Sequence, residues 1–528
     1  MKFSKLIVLS LAVVGLSTTA KGQFGYYNDA LLFSQTNFNG TARIQGIGGA
    51  QVALGGDISV ASSNPAGLGF FNRSVFTFTP SLNFHNSDAT YFGQQNASFK
   101  TNFNINQLGV VIHFGKGDIV PDKFKGGSLA ISLSRTNDFH GETVYEGRNP
   151  YNSITDSFIE QAGNVFPDDL PDLAFTAYDQ FLIDEADYSN PDDYLINEAN
   201  GRFYISPNIV DGTIEGYSSL VGDFAGSLPF QNETVRTSGA QYQLNIAWGG
   251  NYDDRFYFGG GLGIHTVDYT NSRTYVESDY QFADGSPDDI LNSVKIEDNL
   301  SINGTGINVN LGVTARPVNF MTVGLSFNSP TFYALNEESE YTFQTDWNTD
   351  YSYVFGGDTT DLGFIDFQSD IFTSNYSLRT PARVNGGVAF FLGKTGFITG
   401  DVEYVDYSNA LLRSNDLSLS EDNEQIDNLY TSVFNYRSGI ELRFDPIRVR
   451  GGFSYMSDPY AEADGEDRSR QNISFGLGYR NQDFFVDATL IRSHFNELLS
   501  PYSVAENSPI AEIQNTSYNA AITLGFVF

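Results

Sequence analysis

Most of the chain repeats one pattern, short runs in which every second position is apolar or aromatic, joined by alternating tight turns and long polar connections. Alternation of this kind puts successive side chains on opposite faces of a strand. The runs predict strands at 74–85, 98–114 and 127–139, followed by paired strands 241–249 with 256–270, 300–315 with 320–329, and 383–392 with 397–410. Two more pairs, 433–444 with 447–456 and 472–480 with 484–492, precede a last strand at 517–528, giving fourteen strands. Turns such as Asn251-Tyr252-Asp253-Asp254, Arg316-Pro317-Val318-Asn319 and Asp445-Pro446 lie within the pairs, and the connections 271–296, 331–378, 411–431, 457–470 and 494–514 lie between them. If both ends of the strand region start inside, all tight turns are periplasmic and all long loops external, which is the asymmetry of outer-membrane barrels. The last strand carries Tyr518, Ala520, Ile522, Leu524, Phe526 and Phe528 on one face, as a lipid-facing closing strand requires. The expected fold is all-β: a transmembrane antiparallel 14-stranded β-barrel with long extracellular loops.

Two stretches break the alternation. Residues 40–70 are rich in glycine, including Gly48 and Gly49, and contain the turn Asn64-Pro65-Ala66-Gly67. They are too small and flexible for a membrane strand and too apolar for a tail, which predicts a small N-terminal hatch or plug in the lumen. The second stretch, 140–238, holds 18 acidic residues against Arg148, Arg202 and Arg236 only. Its length requires structure of its own, and residues 173–183 have a rough helical period. It reads as a large extracellular loop partly folded over the barrel mouth, with Phe175, Tyr178, Phe181 and Leu182 as a candidate capture surface for a ligand.

Composition adds an address. Lys2 and Lys5, the apolar run from Ile7 to Leu16 and the small residues up to Gly22 form a secretory signal peptide, cleaved near Gly22/Gln23. The expected organisation is a signal peptide at 1–22, a hatch at 23–72 and the barrel at 73–528, in the bacterial outer membrane among its lipid and lipopolysaccharide. Beyond residue 22 no apolar run approaches the ~18 residues of a membrane helix. The 45 Phe, 30 Tyr and 52 Gly suit a barrel, and the absence of cysteine excludes lipoprotein anchoring, disulfides and thiolate metal sites. A net charge of −34 argues against nucleic acid as a partner and reads as solvated acidic loops. The terminal Phe528 resembles the signal read by the outer-membrane assembly machinery.

Strand parity turns Arg383, Asp401, Glu403, Arg437, Glu441, Arg443, Arg448, Arg450, Arg480 and Asp487 toward the lumen. They are either a selectivity lining or a polar scaffold that grips a plug; their mixed signs fit the scaffold, since selective pores use rings of one sign. Gly259, Gly261 and Gly263 also face inward beside His265, leaving room for a plug backbone or for a ligand near His265. The five histidines are dispersed and none is set beside a serine in a catalytic arrangement, so no enzymatic activity and no cofactor is expected. The pairs Asp168-Asp169 and Asp192-Asp193 lack the ligand spacing of a calcium loop, and no metal is expected.

The segment 43–54, RIQGIGGAQVAL, followed by Asp57 and by Asn64-Pro65-Ala66-Gly67-Leu68, resembles the hatch signature of the FadL/TodX-type outer-membrane transport family. Leu378-Arg379-Thr380-Pro381 and the stretch 401–408, DVEYVDYS, are similar to a second stretch of that family. The resemblance implies a fourteen-stranded barrel with a hatch, passive uptake of hydrophobic small molecules such as fatty acids or aromatic hydrocarbons, and lateral exit through the wall. It equally allows a non-transporting barrel of the PorV-like kind, whose extracellular loops hold a protein partner. The acidic loop 140–238 would repel a carboxylate-bearing substrate unless its apolar segment shields the route.

Overall fold

The computed structural model describes residues 25–37, 40–115, 123–186, 194–207, 216–461 and 466–528. The signal-peptide expectation and Asp192-Asp193 lie outside these residues.

Fourteen antiparallel staves close into a barrel. They are β1 (Val75–Tyr91), β2 (Gln94–Gly115), β3 (Phe124–Asp138 continued by Gly141–Arg148), β4 (Ser227–Tyr252), β5 (Phe256–Phe282), β6 (Leu291–Val318) and β7 (Met321–Asn328 continued by Phe332–Trp347). The rest are β8 (Phe372–Arg379 continued by Arg383–Phe391), β9 (Gly396–Asp406), β10 (Ser432–Phe444), β11 (Ile447–Met456), β12 (Arg470–Arg480), β13 (Phe484–Leu499) and β14 (Ala511–Val527). The ladder β1 to β14, from Val75↔Val527 to Thr90↔Glu512, closes the cylinder.

A belt of apolar side chains marks the membrane. On β6, Ile307, Val309, Leu311 and Val313 are each about half exposed, while the intervening Asn308, Asn310 and Thr314 are buried inside. Lipid contact outside and a polar lumen inside produce this alternation. The last stave repeats it with exposed Tyr518, Ile522, Leu524 and Phe526.

The staves are much longer than the sequence predicts. β4, β5 and β6 run for 26, 27 and 28 residues, against the ~9–11 that cross a bilayer. The connection 271–296 is therefore mostly strand, as is much of 331–378, and 140–238 loses both ends to β3 and β4. The physical reason is a change of phase. Above the bilayer the outer face meets water, so on β6 the apolar residues Val294, Ile296, Leu300 and Ile302 point inward and are buried. The first external connection is also short. β1 and β2 meet through Phe92 and Gly93, both with positive φ, a two-residue hairpin turn where the parity rule expects a long loop.

The described residues of what remains of the long external segment, 149–226, fold into a cap. Two helices, Ile154–Ala162 and Asp172–Asp179, pack with Leu182, Tyr217 and Val221 onto Tyr275, Tyr280, Ile296, Phe343 and Trp347 of the tall staves. Glu277 of β5 fastens it. This fully buried carboxylate accepts hydrogen bonds from Ser153 Oγ (2.5 Å), Ile154 N (2.8 Å), Gln231 Nε2 (2.8 Å), Tyr275 Oη (2.6 Å) and Tyr280 Oη (3.0 Å). Burial pushes its pKa up even against these donors.

Inside the barrel sits the N-terminal plug: α1 (Tyr26–Ser34), two single-turn helices at Ala42–Gln45 and Val60–Ser63, and a 3₁₀ turn at Pro65–Phe70.

Candidate functional site

The lower plug is held by backbone contact, and glycines of the wall make that possible. A Cβ on Gly249, Gly259, Gly324, Gly439 or Gly452 would lie less than 3 Å from plug backbone, at Pro65 for the first two, then at Val52, Ile47 and Gly48. Gly312 leaves the same space for the Asn64 side chain and Gly109 for Ile58. Among the described residues these seven glycines belong to seven different staves. Gly259 was legible as an inward glycine; Gly261 and Gly263 meet side chains of the neighbouring staves instead, at Ala247, Gln243 and Asn308.

The predicted hatch residues act as keys in this belt. Asn64 Oδ1 caps the 3₁₀ turn at Ala66 N (3.2 Å), and its Nδ2 donates to Val52 O (2.6 Å) and to Thr314 Oγ1 of β6 (3.1 Å). Pro65 and Ala66 press on Gly259, and Gly67 N donates back to Asn64 O (3.0 Å). Gly48, at φ +66°, donates to Ser474 Oγ of β12 (3.1 Å), and Gly49 lies at the upper face of the plug.

The inward charges join the plug to the wall. Asp401 accepts from the amides of Gln51 (2.6 Å) and Val52 (2.9 Å). Glu441 receives Arg43 of the plug (3.4 Å), Arg443 (2.9 Å) and Arg450 (2.8 Å), and Arg450 continues to Asp487 (2.6 Å). Glu403 bridges Arg383 (3.1 Å) and Arg437 (3.2 Å). Arg448 instead pairs with Asp445 at the periplasmic turn, and Arg480 stacks over Phe485 at 4.5 Å from the ring centre. These pairs tie neighbouring staves to one another and, through Arg43 and Asp401, to the plug.

Above the plug lies a polar cavity of about 140 Å³. Gly49, Gln51 and Ser62 form its floor and Phe33 its roof; Arg135, His265 and Arg383 stand in its walls. His265 meets Tyr333 edge-on at 5.7 Å. Higher still, α1 fills an aromatic chamber. Phe33 packs edge-on against Phe139 (6.0 Å) and Tyr269 (6.1 Å), Tyr26 against Tyr376 (5.0 Å), and Val267, Ile302 and Leu335 complete the walls. Asp29 of α1 is buried there, accepting from Tyr376 Oη at 2.6 Å, and desolvation raises its pKa to about 8.

The other predicted ligand residues lie in the cap, apart from His265. Leu182 is fully buried in the cap core, Phe181 packs on Tyr353 (4.8 Å) and Tyr178 on Tyr217 (6.2 Å). Only Phe175 faces solvent. A helical period with an apolar face marks burial against a partner, and the partner here is the barrel's own extension.

A feature the sequence did not reveal is a break in the wall. β2 and β3 pair only from Gln107↔Ser134 down to Gly115↔Gly126. Above this, a bulge between Arg135 and Asn137 bends β3 toward β4, and residues 95–106 of β2 pair with β1 alone. Phe103 and Ile105 stand exposed on the outer face of this edge. Side chains bridge the gap: Asn102 donates to Asp138 Oδ1 (3.0 Å), Arg135 Nη1 approaches Asp138 Oδ2 (3.2 Å), and Arg135 Nη2 donates to Asn106 (2.9 Å). Arg135 also borders the polar cavity. Alternation continues through a bulge with its phase shifted, so only pairing reveals the gap.

A closed barrel with a greasy belt, a keyed plug and one unpaired seam defines an integral membrane barrel of the plugged type. By structure the chain is similar to a Pseudomonas aeruginosa FadL homologue, with TM-score 0.54 and 10% identity over 93% of this chain and 99% of that one. It is also similar to the P. putida toluene transporter TodX (TM-score 0.49, 12% identity, 93% and 99% covered) and the Ralstonia pickettii toluene transporter TbuX (0.47, 12%, 93% and 99%). No family model matches the chain, and no curated protein matches its sequence. The chain thus has the fold of the FadL-type barrels.

Proposed function

We propose that this barrel passes hydrophobic small molecules, of the fatty-acid or aromatic-hydrocarbon kind, through the outer membrane without an energy source. The observation that carries the reading is the unpaired seam between β2 and β3 beside a lumenal cavity. An apolar solute leaving the chamber gains more by moving sideways into lipid than by entering water below the plug. The aromatic chamber now occupied by α1 is the binding site in this reading, and the side chains around Asp138 close the seam.

The chain has no cysteine, so the test is clean. In an Asn102→Cys/Asp138→Cys variant, oxidation ties β2 to β3, and uptake of a labelled alkylaromatic or long-chain fatty acid into cells should stop and return on reduction. Uptake that ignores the cross-link overturns the lateral route, and absence of uptake by the unmodified barrel overturns the function.

A further inference from the structure

Beneath the plug, on the periplasmic side, lies a second cavity of about 200 Å³, which nothing in the uptake route uses. Phe70 and Phe71 at the end of the plug, Val75 and Val527 where the first and last staves meet, and Phe485 of β13 form its apolar part, and Asp57, Asn72, Arg73 and Thr77 belong to its polar part. Arg480 stands in the same polar part, beside Phe485.

The charges around this cavity do not balance. Two guanidinium groups, Arg73 and Arg480, line it with one carboxylate, Asp57, while Arg43, Arg443 and Arg450 form the neighbouring network with Glu441 and Asp487. Glu441 is engaged by three of the arginines and Asp487 by Arg450. Asp57, though it borders the cavity, is taken up inside the plug by Thr41 Oγ1 (2.8 Å), Ser59 N (3.0 Å) and Arg43 (3.7 Å). Arg73 donates to Gln482 O at 3.2 Å. Arg480 has its ring contact with Phe485 and no carboxylate within 4 Å among the described residues. In a chain of net charge −34, this is a local surplus of positive charge at a cavity with an aromatic side.

We propose that the lower cavity binds a small hydrophobic carboxylate, its anionic head on Arg480 and its apolar body against Phe70, Phe71 and Phe485. A guanidinium offers paired donors that match a carboxylate, and the aromatic walls shelter a ring or a short alkyl chain. The plug separates this cavity from the chamber above it, so the site does not rest on the uptake reading and holds whichever way solutes pass the wall.

The test uses the full-length protein in non-ionic detergent, with 4-fluorobenzoate as probe and 4-fluorobenzyl alcohol as its neutral counterpart, both followed by fluorine NMR. The acid should bind the unmodified protein more tightly than the alcohol, and added chloride should weaken it. Arg480→Gln should weaken the acid about tenfold, the scale of a lost charge-assisted pair, leave the alcohol unchanged, and be partly rescued by Arg480→Lys. Octanoate should displace 4-fluorobenzoate. Equal binding of acid and alcohol, no displacement by octanoate, or undiminished binding by Arg480→Gln at unchanged melting temperature overturns the site. Should Arg480→Gln fail to fold, the acid-against-alcohol comparison and the chloride dependence on the unmodified protein decide the matter.

Discussion

The lower and upper halves of the barrel are built from the same strands and solve opposite problems. At the bilayer, β6 turns Val309 and Leu311 out to lipid and Asn308 and Asn310 in; above it, the same strand turns Leu300 and Ile302 in. In the lower half, shape and charge hold the plug, through missing Cβ atoms and polar ties such as Arg43 with Glu441 and the Gln51 and Val52 amides with Asp401. In the upper half, apolar burial holds α1 and the cap, supplemented by hydrogen bonds such as those at Glu277 and Asp29. The lesson is that a lumen facing water at one level and apolar filling at the next needs two vocabularies of contact, and each should fail differently.

The largest effect is expected from Arg450→Ala, which leaves Glu441 and Asp487 buried without their shared partner. Loss of a buried pair costs about 3–5 kcal/mol, and urea unfolding of the barrel in lipid vesicles should show it. A change confined to the cap would break the division. Next comes Gly452→Val, which forces a side chain into Gly48 of the plug. Overpacking costs about 1–3 kcal/mol and should expose Gly46–Gly49 to hydrogen exchange. Gly386→Ala, where a Cβ meets nothing within 4 Å, should be neutral in the same assay. In the upper half, Glu277→Gln puts an amide donor among five donors and costs about 1–3 kcal/mol. Proteolysis should then cut within 149–226 while the lower barrel stays resistant; a barrel that unfolds with the cap would show the halves to be one unit.

The smallest effect is one of pH. A carboxyl raised from 3.8 to about 8 by burial stabilises the packed state below its unfolded pKa and loses that contribution as pH climbs through about 8. Hydrogen exchange at Tyr26–Ser34, corrected for its intrinsic rate, should show α1 held more tightly at pH 5 than at pH 9. Asp29→Asn should flatten the difference, and an unchanged pH dependence in that variant would remove Asp29 from the account.

The sequence is most readable where physics imposes one rule on every strand. Lipid demands an apolar outer face, so each stave is legible at bilayer level; parity points to Asp401, Glu403, Glu441, Arg450 and Asp487, which are buried, but equally to Arg448, which pairs with Asp445 at a turn, and to Arg480, which is exposed. The rule lapses above the membrane. There 271–282 and 291–299 read as loop because their apolar residues had changed face, although the strand continued. Residues 173–183 showed their helical period, but not that the buried face belongs to the barrel rather than to a ligand. Six of the seven contact glycines on the wall, all but Gly259, passed unremarked because a strand glycine is informative only once its neighbour across the lumen is known.

The glycine belt also says something about time. The plug touches the wall at β4, β5, β6, β7, β10 and β11, and Ala42 N donates to Thr523 Oγ1 of β14 at 2.7 Å. An object keyed to so many staves, beneath a capped mouth, cannot be slid into a finished cylinder. Such keying favours a folding order in which the N-terminal segment lies in place before the sheet closes around it.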